Sequence, residues 1–244
     1  MTLLLLAGTG EARAIAAALA EMPGLAAVAS LAGATQAPES LALPTRVGGF
    51  GGEAGFRAYL AENWIGAVLD ATHPFAHRIS LRTARICAEL GLPYCQYLRP
   101  GWMPEAGDDW TWLADEAEAA RHVPEGAVVF LATGRSTLER FANLQGRRLI
   151  CRQIDPPSEP FPFADGEFLV GRPPFTVAEE EALFQRLGVD WLIVKNAGGA
   201  ASRSKLIAAR NLGIRVGMIK RPEQPEGCRV ESVAAALDWV RGLA

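Results

Sequence analysis

The sequence predicts an α/β chain of two Rossmann-like halves, each a doubly wound parallel sheet, with an interdomain cleft between them. Three observations carry this. Short apolar runs alternate with longer amphipathic segments almost from end to end, the pattern of doubly wound topology. The strand-like runs are continuously apolar rather than alternating, which implies burial on both faces and so a parallel sheet covered by helices. A second strand-and-turn, Leu131-Ala132-Thr133-Gly134-Arg135-Ser136, faintly echoes the first, Ala7-Gly8-Thr9-Gly10-Glu11.

In chain order, strands are expected over residues 3–7, 26–31, 67–70, 93–97, 127–131, 148–152, 191–194 and 215–219. Helices are expected over 11–21, 53–63, 75–90, 115–122, 136–143, 177–187, 202–212 and 233–240. Eight strands are more than one small sheet usually carries. A break near Pro124–Gly126 therefore sets a boundary between residues 1–123 and 124–244. The stretch from Asp155 to Pro174 holds six prolines and reads as an irregular connection running over the cleft.

The totals exclude several classes. Half of the 244 residues are apolar and 21% are charged, an ordinary globular composition. A net charge of −3 gives no support to wholesale nucleic-acid binding, because counterion release needs a clustered positive surface. Cys87, Cys95, Cys151 and Cys228 are far apart and form no CxxC pair. That spacing suits neither a zinc site nor a disulfide framework and points to a reducing compartment. No stretch approaches the roughly 20 apolar residues that span a bilayer. The apolar start runs straight into glycines without a basic leader, as a strand does and a signal peptide does not. A cytoplasmic monomer without nucleic-acid or membrane partners is the expectation.

The turn Gly8-Thr9-Gly10-Glu11-Ala12-Arg13 lies between a buried strand and a helix, the context a dinucleotide fingerprint requires. Gly8 permits the tight turn, and Gly10 lets the backbone approach a pyrophosphate. The helix from Glu11 would aim its N–H groups and positive dipole end at that phosphate, and Arg13 stands where the usual third glycine would be. The second strand ends in Ser30-Leu31-Ala32-Gly33-Ala34-Thr35. The acidic residue that selects NAD through its ribose hydroxyl is absent there, while Ser30 and Thr35 offer donors, so NADPH is favoured. Gly48-Gly49-Phe50-Gly51-Gly52 spends much backbone entropy and reads either as a flexible loop or as a floor under a bound nucleotide, at Gly49 and Gly51. Asp70, Ala71, Thr72 and His73 follow the third expected strand, whose carboxyl end should reach the same cofactor mouth.

An Asp–His–Ser reading of Asp70, His73 and Ser80 as a hydrolase fails for want of a nucleophile elbow. A Tyr-x-x-x-Lys dehydrogenase pair is missing as well: Asn63, Leu98 and Gly101 stand four residues after the three tyrosines. A non-catalytic NAD(P)-binding redox sensor is the alternative function. The histidines and carboxylates show no metal-ligand spacing.

These stretches together resemble the precorrin-6A reductase family, NADPH-dependent reductases of corrin-ring biosynthesis. The matching segments are the Gly8–Arg13 turn, Gly48–Gly52, Asp70-Ala-Thr-His-Pro-Phe-Ala76 and Arg99-Pro100-Gly101-Trp102. Further along come Thr133-Gly134, Arg172-Pro-Pro-Phe175, Lys195-Asn196-Ala197-Gly198-Gly199 with Lys205, and Arg221-Pro222. The family often carries a basic residue where this chain has Ala34. The resemblance implies an oxidoreductase acting on a carbon–carbon bond of a tetrapyrrole with many carboxylate arms. NADPH would sit on the first half and the second half would contribute substrate binding. Carboxylate arms call for cationic partners, and Arg78, Arg99, Arg135, Arg172, Lys195 and Lys205 are the candidates. Thr133, Gly134, Asn196, Gly198 and Gly199 would line the same surface, with Phe75 and His73. His73 is the candidate proton donor, its ordinary pKa lying near neutrality. Trp102 is open between stacking on the macrocycle and a place in the core, and Trp112 is expected in the core.

Overall fold

The structure, a computed structural model, describes residues 1–33 and 40–243. The chain forms two compact units, one of residues 1–100 with 222–244 and one of residues 101–221. The first unit opens with β1 (Thr2–Leu6), α1 (Gly10–Ala20), β2 (Ala26–Leu31), β3 (Thr45–Val47), α2 (Gly52–Glu62), β4 (Ile65–Asp70), α3 (His77–Leu90) and β5 (Tyr94–Tyr97). The second unit follows with β6 (Trp110–Leu113), a 3-10 turn (Ala117–Arg121), β7 (Val128–Ala132), a second 3-10 segment (Arg135–Phe141) and β8 (Arg148–Gln153). It continues with β9 (Gly166–Val170), α4 (Val177–Leu187), β10 (Trp191–Lys195), α5 (Ser204–Leu212) and β11 (Arg215–Ile219). The chain then returns to the first unit for β12 (Arg229–Val230) and α6 (Val233–Arg241).

The first sheet runs β3-β2-β1-β4-β5-β12 and the second β9-β8-β7-β10-β11-β6, with every pairing parallel. Both follow the 3-2-1-4-5-6 order of dinucleotide-binding sheets. The sixth place is filled differently in each. In the first unit β12 arrives from the far end of the chain, and in the second β6 precedes the other five strands.

The boundary expected after residue 123 is corrected by this pairing. Residues 110–113 lie against β11, with Trp110 opposite Val216 and Leu113 opposite Ile219, so they belong to the second sheet. Residues 222–244 return to the first unit because β12 pairs with β5 and α6 buries Ala236 and Val240 in that unit's core. The thiols of Cys95 and Cys228, remote in sequence, meet at 2.7 Å in that return.

Burial explains why the interior strands form. Leu3, Leu4, Leu5 and Leu6 are alternately shared between two apolar clusters, one under α1 and α6 and the other under α2 and α3. Each contributes roughly 1.5–3 kcal/mol of apolar burial, which no exposed conformation of that run recovers. In the second unit Phe130, Ile150, Leu192, Val194 and Val216 form the corresponding core with Phe184 and Leu206. The helices are bounded by local chemistry: Thr9 and Ser232 cap α1 and α6, and Thr176 with Glu179 makes a reciprocal capping box on α4.

Two expected helices are 3-10 segments, Ala117–Arg121 and Arg135–Phe141; Asp115 accepts the Glu118 N–H at 3.1 Å at the start of the first, and the second has no side-chain cap. The proline-rich stretch is also corrected, since β9 forms within it and pairs with β8. Its edge position needs only one neighbour, which is why so weak an apolar signal suffices. Among the described residues, no helix is long and apolar enough to cross a membrane.

Candidate functional site

In an open parallel sheet of this order, ligands bind beyond the strand carboxyl ends where the order reverses. In the first unit that point lies between β1 and β4. Backbone bonds stitch the three strand ends together there: Ala7 donates to the Ser30 carbonyl at 2.9 Å, and Ala71 donates to the Leu6 carbonyl at 2.8 Å.

Gly8 follows with φ +145°, a conformation side chains rarely adopt, and no described residue beyond its neighbours approaches within 4 Å of the position a Cβ would take. Thr9 then caps α1, its Oγ1 accepting the Ala12 N–H at 3.1 Å and donating to the Ala71 carbonyl at 3.0 Å. One hydroxyl thus starts the helix and ties it to the loop after β4. The first-turn N–H groups of an α-helix have no partner inside the helix. Here they open onto exposed Gly8 and Gly10, with a guanidinium nitrogen of Arg13 3.7 Å from the position of a Gly10 Cβ. Open space, aligned amides and a nearby cation fit a diphosphate. The Glu11 carboxylate, the like charge in that turn, is paired with Arg99 at 2.8 Å.

Burial changes several of the assignments expected from sequence. Asp70 is fully buried, and its carboxylate takes the Thr72 N–H at 3.0 Å, the Thr72 hydroxyl at 2.7 Å and the Tyr94 hydroxyl at 2.9 Å. It positions the turn and is out of reach of a ligand. Burial, reinforced by the Asp70 charge, pushes the Tyr94 phenol well above its usual range, so Tyr94 stays a donor. Ala71 is likewise buried and works through its backbone, and Thr9 is a clasp with its hydroxyl committed. Ser30 is buried at the end of β2 and accepts from Arg46, while Gly33 is exposed. Thr35 lies outside the described residues.

The turn after β4 holds His73 half-buried, its Nδ1 accepting the Phe75 N–H at 3.2 Å. That bond leaves the proton of the neutral ring on Nε2. The returning segment supports the turn: Gln224 donates to the Pro74 carbonyl at 2.9 Å and accepts from Gln96 at 2.8 Å. Arg78 is exposed in the first turn of α3.

The second unit reverses its strand order between β7 and β10. Lys195, the last residue of β10, spans that point: its ammonium donates to the Thr133 carbonyl at 3.0 Å and lies 3.9 Å from the Glu116 carboxylate. Burial lowers the Lys195 pKa, with the Glu116 charge opposing. Gly134 and exposed Arg135 open the 3-10 segment beside it. Arg221 donates from Nε to the Asn196 carbonyl at 2.7 Å and from Nη2 to the Ala197 carbonyl at 3.0 Å, steadying the turn that leads to Gly198 and Gly199.

Trp102 and Asn196 are corrected to a brace. Asn196 accepts the Trp102 N–H at 2.8 Å and donates to its carbonyl at 3.1 Å, while the buried indole donates to the Gly199 carbonyl at 2.8 Å. Trp102 sits in the second unit's apolar core, so it offers no stacking face. Trp112 packs partly buried against that same core. Lys205 donates to the Ser202 carbonyl at 2.8 Å, and burial, then the Arg152 charge, pushes its pKa down to about 8. Arg172 is exposed, 3.7 Å from Asp155. A hollow of about 440 Å³ lined by Gly146, Arg148 and Glu167 lies at the amino ends of β8 and β9, away from these loops.

Sequence reasoning missed Arg46, which reaches from β3 to Ser30, and Gln224, whose role depends on the chain's return. The signal for Arg46 was its place immediately before the Val47-Gly48-Gly49 run, inside an edge strand too short to stand out.

Comparison with known proteins agrees over the whole length. The family model described as "Precorrin-6x reductase CbiJ/CobK" matches residues 2–241. A precorrin-6A reductase of Rhodococcus erythropolis is 43% identical over 99% of this chain and 98% of its own. One of Rhodobacter capsulatus is 42% identical over 98% of this chain and 94% of its own. A solved structure titled "CobK precorrin-6A reductase" superposes with a TM-score of 0.94 at 40% identity, covering 99% of this chain and 96% of that one. The chain belongs to the precorrin-6x reductase CbiJ/CobK family.

Proposed function

We propose that the first unit holds NADPH at the Gly8–Arg13 turn while loops of the second unit take the carboxylate arms of a precorrin-6A macrocycle. The chain is an oxidoreductase of cobalamin biosynthesis that reduces a carbon–carbon double bond of a tetrapyrrole with NADPH, as its family membership establishes. The redox-sensor alternative has no support among these relatives, which are reductases by name. The Thr9–Ala71 clasp carries the assignment of residues to roles, because it brings the helix start and the loop after β4 to one point of the sheet.

NADPH supplies a hydride to one carbon of the conjugated system and leaves as NADP⁺; a proton adds at another carbon, so two electrons and two hydrogens are gained. The α1 amides and Arg13 hold the diphosphate through aligned donors and positive charge. Gly33, Gly49 and Gly51 give the adenosine end backbone to lie against, and Ala71 and Thr72 border the reacting end. Arg99 neutralises Glu11 so that no carboxylate repels the phosphates. His73 Nε2 holds the proton to be delivered, with Nδ1 fixed by the Phe75 amide and Phe75 as an apolar neighbour.

In the second unit, Lys195, Arg135 and Arg172 meet substrate carboxylates by charge-assisted hydrogen bonds. Thr133, Gly134, Gly198 and Gly199 shape the backbone beside them, and Lys205 holds the Ser202 carbonyl from the start of α5. In the first unit, Arg78 offers a further cation from α3. The proposed working form is a cytoplasmic monomer.

Anaerobic mixing of the purified chain with precorrin-6A and NADPH tests the reading. Stoichiometric loss of NADPH absorbance with bleaching of the macrocycle is expected. His73→Ala should lower kcat by about 100-fold or more, the range of a general acid, and remove a limb of its pH profile. Unchanged turnover and profile would remove His73 from the mechanism.

A further inference from the structure

NADPH differs from NADH by one phosphate on the adenosine ribose, and the sequence around Ser30 supplies no cation for it. The fold does. Parallel pairing of β3 with β2 sets Arg46 directly opposite Ser30. Its Nη1 donates to Ser30 Oγ at 2.8 Å and to the Gly48 carbonyl at 2.8 Å, and its Nη2 donates to the Gly49 carbonyl at 2.8 Å. The guanidinium carbon lies 4.0 Å from the centre of the Phe50 ring, and Phe50 in turn meets Phe56 and Tyr59 edge to face. The side chain is therefore held in one place from several sides.

What it lacks, among the described residues, is a counter-charge. Elsewhere in this unit Arg57 and Arg85 share Glu53 and Glu89, and Arg99 has Glu11. Arg46 meets only a hydroxyl and two carbonyls, all neutral. A guanidinium carries five N–H donors, and those three bonds leave Nε and one Nη2 hydrogen to spend. A half-buried cation with donors in reserve, fixed at the carboxyl end of β2, stands where sheets of this strand order recognise the ribose.

We propose that Arg46 is the specificity-determining residue for the coenzyme: its guanidinium takes the ribose 2′-phosphate of NADPH and sets the preference over NADH. This rests on the placement of NADPH at the Gly8–Arg13 turn. It also accounts for a site selective for the phosphorylated coenzyme without a basic residue at position 34. Ser30 and the two glycine carbonyls then act on the coenzyme through Arg46, by orienting it.

Calorimetric titration with adenosine 2′,5′-bisphosphate and with 5′-AMP tests this without turnover, because the two probes differ only in the 2′-phosphate. The wild-type chain should bind the bisphosphate more tightly. Arg46→Ala should weaken the bisphosphate by roughly 10- to 100-fold, the range of one or two bonds to a charged group. 5′-AMP should change by less than about threefold, and Arg46→Lys should restore part of the difference as a point charge without the fork. Equal weakening of both probes would make Arg46 an organiser of the glycine loop and overturn the proposal, as would an unchanged ratio. Should Arg46→Ala fail to fold, Arg46→Lys and Arg46→Gln, checked by thermal melting, carry the same comparison. Gly10→Asp separates the two levels. If it abolishes NADPH binding while the Arg46 variants keep full discrimination, only the Arg46 assignment falls; if NADPH binding survives Gly10→Asp, the cofactor placement itself falls.

Discussion

The two units share a strand order and differ at the loop that matters most in such sheets, the one after the first strand of the reversal. In the first unit β1 passes through Gly8 and a capped Thr9 into an 11-residue α-helix. In the second, β7 passes through Gly134 into a seven-residue 3-10 segment with no side-chain cap. An α-helix sums its peptide dipoles and presents several amides in one direction; a short 3-10 segment, with poorer hydrogen-bond geometry, does this weakly. The second unit places a side-chain ammonium, Lys195, across the same point instead. One topology thus places two kinds of positive group at the reversal, main-chain donors in the first unit and a cationic side chain in the second. The proposed function assigns the first to a diphosphate and the second to carboxylates. This division underlies the proposed partition of coenzyme and substrate.

Four experiments put pressure on that contrast. Gly10→Asp places a carboxylate among the α1 amides and should weaken NADPH by about 1000-fold or more, since repulsion replaces several charge-assisted bonds; equilibrium titration reads this directly. Lys195→Ala acts on the other unit, and its expected signature is a rise of roughly tenfold in the substrate KM with NADPH affinity unchanged. A matched fall in NADPH affinity would erase the division of labour.

Cap removal gives a finer contrast. Thr9→Ala and Thr176→Ala should each lose about 1 kcal/mol of stability in denaturant titrations, but only Thr9→Ala should also loosen NADPH, because only Thr9 ties its helix to Ala71. The smallest effect concerns Lys205. Its pKa is about 8 when folded against an ordinary 10.5, so the unfolded chain holds more protons between those values and stability should rise with pH across that window. Below pH 8 both states are charged and the full burial penalty applies. Lys205→Met should therefore raise Tm at pH 7 and flatten the profile between pH 8 and 10.5; an unchanged slope would contradict the burial account.

Much of the fold was legible because the eight strands interior to the two sheets must be apolar on both faces. The four strands that escaped notice, β3, β6, β9 and β12, are the four sheet edges. An edge strand needs one partner and one covered face, so Arg229–Val230 or Thr45–Val47 leaves little hydrophobic trace. Missing β6 also displaced the unit boundary, since its pairing with β11 joins the two ends of the second unit and no local pattern records it. Two helices became 3-10 segments of five and seven residues, each burying only one or two side chains and so without the long apolar face that commits a segment to α turns.

At the site, the glycine turn was readable because backbone geometry demands glycine at Gly8. Roles that depend on burial were not. Asp70 and Trp102 have ligand-binding chemistry, yet Asp70 is sealed under Thr72 and Tyr94 and Trp102 under Asn196 and Gly199. Arg46 was invisible for the opposite reason, being ordinary in sequence and significant only through its register with Ser30.

The decisive observation is where NADP⁺ lies in a crystal of the chain soaked with it. Diphosphate oxygens should sit within about 3 Å of the Gly10 and Glu11 amides, an ordinary N–H···O distance. Density for the dinucleotide on the Thr133–Arg135 loop, with the Gly8–Arg13 turn bare, would contradict the assignment of coenzyme to the first unit.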